Sequence, residues 1–388
     1  MIGRSCYSAR KLEQVRRQSL RLLHHQEVVS VPNSFFARHP FTRTTLPFPA
    51  SDSGLIRHYV KIHVPETEAA VTLSYVKGGA GAPIILLHGL GATAAAWRRT
   101  LPVLMQQYTV YAIDLLGCGE SDKPEGEYTI QAMADTIKQF MDEVGLTHAH
   151  IIGHSFGGGV TMQLCTTHPE MIDRVILVSS GGLGKAVHWL LRASTLPGAH
   201  RVIAALTSPR SPLPNASRVI EQQRMRRLNV EFDDVGSTIF ERLQSPATRQ
   251  AFIHMISSSS GLQGQKISAL PLLSQLDKDV LIIWGRDDNT IPVAHGYAGA
   301  TLIPRAHIEV IDNCFHRPQI EAPDTFNALV IHFLQAQQWP PEVDEEVPEL
   351  HLYNVSRQRQ ISRFAAPAAL VLVGTTVLLN ARSRRRRR

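Results

Sequence analysis

The sequence predicts an α/β fold in which helices flank a mostly parallel β-sheet. Short, unbroken apolar runs recur along the chain, and such runs are typical of strands buried on both faces of a sheet. Stretches long enough for helices separate these runs, and this alternation favours parallel strands with right-handed crossovers. With 388 residues, the chain has room for one large domain and an insertion.

The strands are expected in two groups. Residues 57–63 and 71–76 alternate between polar and apolar side chains, which predicts a half-exposed antiparallel pair. Six unbroken apolar runs predict the parallel strands, at residues 84–87, 110–113, 149–152, 175–178, 280–283 and 308–311. The helices are expected at residues 94–106, 128–144, 157–168, 293–300 and 321–337.

Residues 181–264 interrupt this alternation. No strand-like run occurs there, and the segment has the character of several helices joined by proline-containing loops. The simplest interpretation is a helical cap inserted between core strands 6 and 7. Residues 51–180 and 265–338 would then form the two parts of the core, with residues 181–264 as a lid.

Positive charge is concentrated at the two ends of the chain. The formal net charge is +7, to which residues 1–45 contribute +6 and the arginine-rich tail, residues 382–388, contributes another +6. The residues between them therefore carry a net charge of −5. A body of this charge gives no support to a nucleic-acid groove, so no nucleic-acid partner is expected.

The two ends also differ from the core in pattern. Residues 1–50 form a basic extension, in which residues 10–30 favour a helix that is a transit peptide, a membrane-surface helix, a cap on the body or an ordinary solvated helix. Residues 339–363 have the character of a linker. The uncharged residues 364–381 predict a transmembrane tail anchor, which would leave the folded body in the cytosol. The alternative is a docked or frayed terminal helix on a soluble cytoplasmic protein.

The four cysteines, Cys6, Cys118, Cys165 and Cys314, are far apart in the sequence. Their spacing matches no metal-ligand pattern, and free thiols in a reducing compartment are the favoured interpretation. The sequence therefore predicts neither a metal nor a cofactor.

A reactive serine is predicted at residue 155. The sequence Gly153-His154-Ser155-Phe156-Gly157 follows an expected strand and opens an expected helix, which is the context of a nucleophile elbow. Glycines two residues before and after the serine allow a sharp turn without a Cβ clash. The alternative is a glycine-rich turn in which the serine has no chemical role.

A nucleophilic serine needs a base, and one histidine is well placed for this role. His316 follows the last expected strand and precedes the final helix. His332 is expected to be packed or half-exposed on its helix, and His295 to lie on a helix surface. His88 is expected to be a structural residue of its loop.

An acid that orients the base and donors for an oxyanion are also predicted. Asp287 and Asp288 both follow the strand at residues 280–283, and spacing alone does not separate them. The backbone N–H groups of Leu90 and Phe156 are expected to form the oxyanion hole, because both follow strand ends.

These motifs together resemble the α/β-hydrolase superfamily over about residues 55–337. The resemblance rests on residues 88–91, 114–122, 153–157 and 285–292 and on His316 ahead of residues 321–323. The chain is particularly similar to capped bacterial hydrolases with the motifs G-H-S-x-G-G-G and V-S-S-G-G-L-G, here at residues 153–159 and 178–184. Phe315 is a departure, since the family histidine usually follows a glycine, and Cys118 is a minor one.

The resemblance implies the function and the choice of acid. The family pattern G-x-x-D-x-x-x-P falls on Gly285, Asp288 and Pro292, which implies Asp288 with Asp287 in reserve. A triad of Ser155, His316 and Asp288 would cleave a small lipophilic carboxylic ester through an acyl-enzyme. The alternatives are a carbon–carbon hydrolase of ring-cleavage products, a cofactor-free perhydrolase and a non-catalytic binding protein. The oligomeric state is left open.

Overall fold

The computed structural model describes residues 55–63, 70–126, 128–227, 238–266 and 270–339. The basic N-terminal extension, most of the linker, the predicted tail anchor at residues 364–381, the arginine-rich tail and Cys6 lie outside the described residues. Within the described ranges, no helix is both long and apolar enough to cross a membrane.

A single eight-stranded sheet forms the centre of the described part, in the order β1-β2-β4-β3-β5-β6-β9-β10. The first two strands pair antiparallel with each other and β2 pairs antiparallel with β4, whereas the other neighbours run parallel. The strand bounds are β1 Ile56–Ile62, β2 Val71–Gly78, β3 Ala82–Leu87, β4 Tyr108–Ile113, β5 Ala149–His154, β6 Ile172–Val178, β7 Ser260–Gly261, β8 Gly264–Gln265, β9 Asp279–Gly285 and β10 Ala306–Ile311. The predicted mostly parallel sheet is therefore confirmed.

Both faces of the sheet are covered, as the unbroken apolar runs predict. Along β3, Ile85 and Leu87 belong to one hydrophobic cluster, and Ile84 and Leu86 belong to a second cluster. Because successive side chains of a strand point to opposite faces, these two clusters lie on opposite sides of the sheet. A strand with two buried faces has no polar side to alternate with, which explains its sequence.

The helices flank this sheet and follow the expected alternation. Their bounds are α1 Leu101–Leu104, α2 Ile130–Glu143, α3 Phe156–Thr167, α4 Trp189–Ala193, α5 Ala199–Leu206, α6 Leu213–Arg227, α7 Ile239–Arg242, α8 Pro246–Ser259, α9 Leu270–Leu273, α10 Ala294–Leu302, α11 Pro318–Glu321 and α12 Pro323–Gln335. Short 3₁₀ turns occur at Ala94–Trp97 and Pro169–Met171.

Two helices differ from their predicted bounds because of prolines. The single helix expected at residues 94–106 is a 3₁₀ turn followed by α1, and Pro102 lies in the first turn of α1. The last helix begins at Pro323 and not at residue 321, where α11 ends. Proline has no N–H to donate and fits the first turn of a helix, so it starts a new helix in both places.

The segment between β6 and β9 contains helices α4 to α9, with residues 228–237 and 267–269 outside the described part. It also contains a small antiparallel hairpin of β7 and β8, which the expectation of no strand up to residue 264 missed. With two residues in each strand, the hairpin is too short to show a hydrophobic period. We call residues 181–264 the insertion.

Candidate active site

The turn that the sequence predicts to be a nucleophile elbow joins β5 to α3 at Ser155. This serine has φ +53° and ψ −113°, a backbone conformation that is strained for a residue with a Cβ atom. The strain is held by hydrogen bonds on both sides: the Ser155 N–H donates to Val178 O at 2.9 Å, and its carbonyl accepts from the Gly181 N–H at 2.8 Å. The side chain is therefore presented at the carboxyl edge of the sheet.

The two glycines of the elbow are required by close packing. A Cβ atom on Gly153 would lie 2.3 Å from the hydroxyl of Thr161, and one on Gly157 would lie 2.5 Å from the carbonyl oxygen of Leu87. Both distances are shorter than any real Cβ contact. Glycine is therefore needed at these two positions for a second reason besides the sharp turn. At Gly157 the helix α3 approaches β3 closely, and at Gly153 the end of β5 approaches α3.

His316 lies between Ser155 and Asp288 and is within hydrogen-bond distance of both. Its Nε2 is 3.0 Å from the Ser155 Oγ, and its Nδ1 is 2.8 Å from the Asp288 Oδ2. Because a carboxylate only accepts hydrogen bonds, it favours the tautomer with the proton on Nδ1. The Nε2 lone pair then faces the serine hydroxyl.

Asp288 is held rigidly in this position. Its Oδ1 accepts the N–H groups of Thr290 and Ile291 at 2.8 and 2.9 Å, which leaves Oδ2 for His316. The Asp288 side chain is fully buried, whereas Asp287 is exposed. Of the two adjacent aspartates, Asp288 is the one that the structure brings to His316.

The predicted oxyanion donors lie beside the serine. Leu90 and Phe156 line the same cavity as Ser155. Phe156 is the first residue of α3, and the first N–H groups of a helix have no acceptor within the helix. The loop of Leu90 is packed tightly against the elbow, since a Cβ atom on Gly89 would lie 3.1 Å from the Ser155 Cβ.

His88 has the structural role that its sequence position suggests. It is fully buried, its Nε2 accepts the Leu115 N–H at 3.0 Å, and its Nδ1 lies 2.8 Å from the Gly89 carbonyl, to which it donates. Burial lowers the pKa of His88 below its usual value. These bonds connect the loop after β3 to the loop after β4.

Sequence reasoning assigned no role to His154, yet it contacts His316 directly. Its Nε2–H donates to the His316 carbonyl oxygen at 2.7 Å, and the two imidazole rings are 5.0 Å apart. Burial, followed by the nearby His316, holds the pKa of His154 well below its usual value. A neutral His154 therefore supports the backbone of His316.

Glu321 was also missed as a contributor to the site, although it belongs to a motif of the family resemblance. Its fully buried carboxylate accepts the Phe315 N–H at 2.6 Å and pairs with Arg224 of α6 at 2.6 Å. Arg317 pairs with Glu221 on the same helix. Two ion pairs thus join the insertion to the loop that carries His316.

Phe315 does not displace His316 from its two partners. The Phe315 ring lies 5.1 Å from the guanidinium of Arg224, in the direction of α6. A Cβ atom on Gly285 would clash with the Phe315 carbonyl oxygen, so the backbone of this loop is pressed against the end of β9. The departure from the family pattern is accommodated by contact with the insertion.

The expectation that His295 lies on a helix surface is wrong. His295 is buried on α10, where its ring packs against Gly184, and burial lowers its pKa. His332 is exposed on α12. The described cysteines, Cys118, Cys165 and Cys314, are free and buried, and burial raises the pKa values of the first two thiols to about 12.

A cavity of about 220 Å³ opens beside Ser155 and extends between α3 and the insertion. Its apolar walls come from both parts of the molecule: Leu90, Ile130, Met162, Val187, Leu191 and Leu272. The polar lining residues that the structure describes, such as Gln163, Thr166 and Gln265, are uncharged. A neutral, largely apolar group therefore fits this space best.

Comparison with known proteins agrees with this fold. A family profile described as alpha/beta hydrolase fold matches residues 82–323. The chain belongs to this family and is a hydrolase of the α/β-hydrolase fold.

Three particular proteins illustrate the range of the similarity. An uncharacterized protein of Mycobacterium tuberculosis is 32% identical over 272 residues, which cover 69% of this chain and 79% of that protein. The structure of a meta-cleavage product hydrolase from Pseudomonas fluorescens IP01 is similar at 29% identity and a TM-score of 0.55, covering 71% of this chain and 97% of the other. A thermophilic esterase from Thermogutta terrifontis shares the fold at 21% identity and a TM-score of 0.58, with coverage of 71% and 97%.

Proposed function

We propose that the chain is a serine hydrolase that cleaves a neutral, lipophilic carboxylic ester through an acyl-enzyme. The hydrogen-bonded series from Ser155 through His316 to Asp288 carries this proposal, because a hydroxyl is activated by a base that a carboxylate orients. The strained backbone of Ser155 supports it, since such strain is concentrated at functional sites.

In the acylation step, Ser155 Oγ attacks the ester carbonyl while its proton moves to His316 Nε2. The positive charge that forms on the imidazole is stabilised by Asp288, which stays ionised. The N–H groups of Leu90 and Phe156 donate to the oxyanion, where electrostatic stabilisation contributes most. The alkoxide of the substrate leaves with the proton from His316.

Deacylation repeats these steps with water. His316 takes a proton from a water molecule, whose oxygen attacks the acyl carbon, and the proton then returns to the Ser155 oxygen. The ester is thereby converted to an acid and an alcohol without any other reactant. No metal and no cofactor enters the proposal.

The uncharged lining of the cavity favours an ester over an anionic substrate. Burial of a carboxylate without a partner costs several kcal/mol, and the described lining residues include no basic side chain that would pair with it. A second candidate is cleavage of a carbon–carbon bond, which the similarity to a meta-cleavage product hydrolase favours.

The test compares wild type with Ser155→Ala on short and long p-nitrophenyl esters and on a vinylogous 1,5-diketone. We expect ester turnover that Ser155→Ala abolishes, together with fluorophosphonate labelling of wild type alone. Ser258→Ala is the control, because the Ser258 Oγ lies within hydrogen-bond distance of the carbonyl oxygens of Tyr128 and Met255 and does not line the cavity. Equal rates of ester hydrolysis in wild type and Ser155→Ala would contradict the proposal. Turnover of the diketone without turnover of the esters would favour the second candidate.

Attachment of the chain to a membrane by residues 364–381 is a further part of this proposal, and it rests on sequence alone. Fluorophosphonate labelling of membrane and soluble fractions, with and without residues 364–388, tests activity and attachment together. Loss of the label from the membrane fraction on truncation is the expected result. A label that stays in the soluble fraction for both chains would contradict the anchor.

A further inference from the structure

The large apolar side chains that the structure exposes are concentrated on the insertion. Trp189 and Leu190 of α4 are 50% and 54% exposed, and Val202 of α5 is 57% exposed. Leu196, in the turn between these helices, and Leu262, in the β7–β8 hairpin, are also exposed. A folded chain gains nothing in water from presenting so many apolar side chains on one short segment, and such surfaces mark sites of interaction.

These five residues, which we call the α4–α5 surface, are connected in the structure. The first four lie within 14 residues of the chain, from Trp189 to Val202, in the helix–turn–helix formed by α4 and α5. The hairpin is joined to α4 by Arg192, whose Nε–H donates to the Leu262 carbonyl at 2.6 Å. The apolar side chains are therefore presented by neighbouring elements.

The stretch of chain that contains α4 and α5, residues 174–220, is strongly basic. No carboxylate occurs in the sequence between Asp173 and Glu221. Basic residues at its surface include Lys185, Arg192, Arg201 and Arg210, all of them exposed. By contrast, residues 46–381 as a whole are net acidic. The charged side chains in the sequence around the exposed apolar residues are thus all positive, whereas the body as a whole carries an excess of negative charge.

A protein surface of apolar side chains surrounded by basic residues is complementary to the surface of an anionic bilayer. The apolar groups are buried among the acyl chains, while each cation near the surface is attracted to acidic headgroups. A water-soluble protein partner would have to supply both an apolar patch and a cluster of carboxylates. Among occupants of defined chemistry, an anionic lipid surface satisfies both requirements.

The α4–α5 surface also borders the cavity beside Ser155. Leu191, next to Leu190 in α4, lines the cavity, as does Val187 just before this helix. An apolar molecule that leaves a bilayer at α4 therefore meets apolar side chains from the surface to the cavity.

We propose that the α4–α5 surface docks on anionic lipid bilayers and inserts Trp189 and Leu190 below the headgroups. This docking is independent of residues 364–381, and it brings the entrance of the cavity to the lipid. The proposal goes beyond hydrolysis at Ser155 and does not depend on it.

The chain contains a built-in reporter for this docking. Of its four tryptophans, Trp97 and Trp284 are fully buried, Trp339 is 9% exposed and Trp189 is 50% exposed. A change in tryptophan emission on lipid binding therefore reports on Trp189. Quenching by brominated acyl chains shows in addition that this side chain has entered the bilayer.

The experiment uses the full chain with vesicles of phosphatidylcholine alone or mixed equally with phosphatidylglycerol, with and without brominated acyl chains. We expect a blue shift and quenching with the anionic vesicles, both weakened by added salt. Leu190→Glu is expected to lower the affinity for vesicles in this assay by about ten-fold or more, since it removes a buried apolar side chain and adds a repelled charge. Arg201→Gln is expected to lower it about five-fold.

Two matched controls separate this surface from general effects. Leu302→Glu changes an exposed leucine on α10, and Lys61→Gln removes an exposed cation on β1. Neither is expected to change the quenching. Hydrolysis of p-nitrophenyl acetate without vesicles is expected to be equal in wild type and Leu190→Glu. If wild type and Leu190→Glu are both inactive, this result would count against the proposed function, while the quenching by lipid would still test the docking.

Three outcomes would overturn the docking proposal. The first is unchanged Trp189 emission while the chain sediments with vesicles, which would assign attachment to another segment. The second is equal quenching with neutral and anionic vesicles that Leu190→Glu does not reduce. The third is self-association that Leu190→Glu abolishes without any quenching by lipid, which would identify the occupant as a second copy of the chain.

Discussion

The core and the first two helices of the insertion, α4 and α5, use apolar residues in opposite ways. In the core, α12 buries Phe326, Val330, Phe333 and Leu334, which pack in the cluster on one face of the sheet. In the insertion, α5 has no buried residue, and its Val202 faces solvent. The difference indicates that burial in the core stabilises the fold, whereas α4 and α5 keep apolar side chains available for a ligand or a surface.

The two regions meet at the candidate active site. The core supplies Ser155, Asp288 and His316. The insertion supplies Val187 and Leu191 of the cavity and Arg224, which forms an ion pair with Glu321 of the core. The groups proposed to react thus all come from the core, whereas the walls around them come from both regions. Four predictions test this division, in order of expected effect.

The largest effect is expected in the core, at the acid of the proposed triad. Asp288→Asn should lower kcat/KM for p-nitrophenyl esters by about 10⁴-fold, because the amide donates a hydrogen bond and favours the wrong tautomer of His316. Asp287→Asn, the adjacent and exposed control, should stay within about two-fold of wild type. Steady-state kinetics on both variants decides between the two aspartates, and a larger loss in Asp287→Asn would reverse the assignment.

The second effect is on stability. Phe326→Ala should lower the free energy of unfolding by about 3–5 kcal/mol, because it leaves a cavity in a fully buried cluster. Val202→Ala, on the exposed face of α5, should change it by less than about 0.5 kcal/mol. Urea denaturation measures both. Equal losses would show that α5 is as well packed as the core, contrary to its exposure.

The third effect concerns the contact between the regions. Glu321→Gln removes the charge that pairs with Arg224 but keeps an acceptor for the Phe315 N–H. Since a small displacement of a catalytic group is costly, kcat should fall about ten-fold with little change in KM. Glu321 is here a positioning residue that acts through the His316 loop.

The control for Glu321 is an ion pair within the insertion. Glu241→Gln breaks the charge pair of Glu241 with Arg218, two residues that both belong to the insertion, and should leave kcat within about two-fold. If the two substitutions lower kcat equally, or if Glu321→Gln changes KM alone, Glu321 has no positioning role.

The smallest effect concerns pH and the buried His154. Its pKa lies well below 6.5 in the folded protein, because burial disfavours the charged ring. The unfolded chain therefore binds more protons as the pH falls below about 6.5, and stability decreases by up to about 1.4 kcal/mol per pH unit in that range. At higher pH His154 is neutral in both the folded and the unfolded chain, and its contribution to the pH dependence of stability disappears.

Urea denaturation at several pH values measures the effect. His154→Gln should show a shallower loss of stability below about pH 6.5 than wild type, since it removes one proton-binding group from the unfolded chain. His200→Gln, at an exposed histidine of the insertion, is the control and should follow wild type. If the free energy of unfolding of His154→Gln falls with decreasing pH as steeply as that of wild type, His154 does not contribute to the pH dependence of stability.

The sequence alone located the strands of the core, because a strand buried on two faces needs an unbroken apolar run wherever it occurs. It also located the elbow at Ser155, since strand, glycine-flanked serine and helix are adjacent in the chain. The antiparallel pair at the edge followed from alternation over a few residues. All of these features depend on neighbours in sequence.

Only the tertiary structure showed which distant groups meet. Asp287 and Asp288 have nearly the same sequence context, and the turn after β9 brings one carboxylate to His316 and leaves the other in solvent. His295 was expected on a surface. It is buried, because the face of α10 that carries His295 packs against Gly184. The bonds of His154 to His316 and of Glu321 to Arg224 span 162 and 97 residues of chain. No local period encodes contacts of that separation, and they exist because β5, β9 and β10 end at one edge of the sheet and α6 lies above the loop after β10.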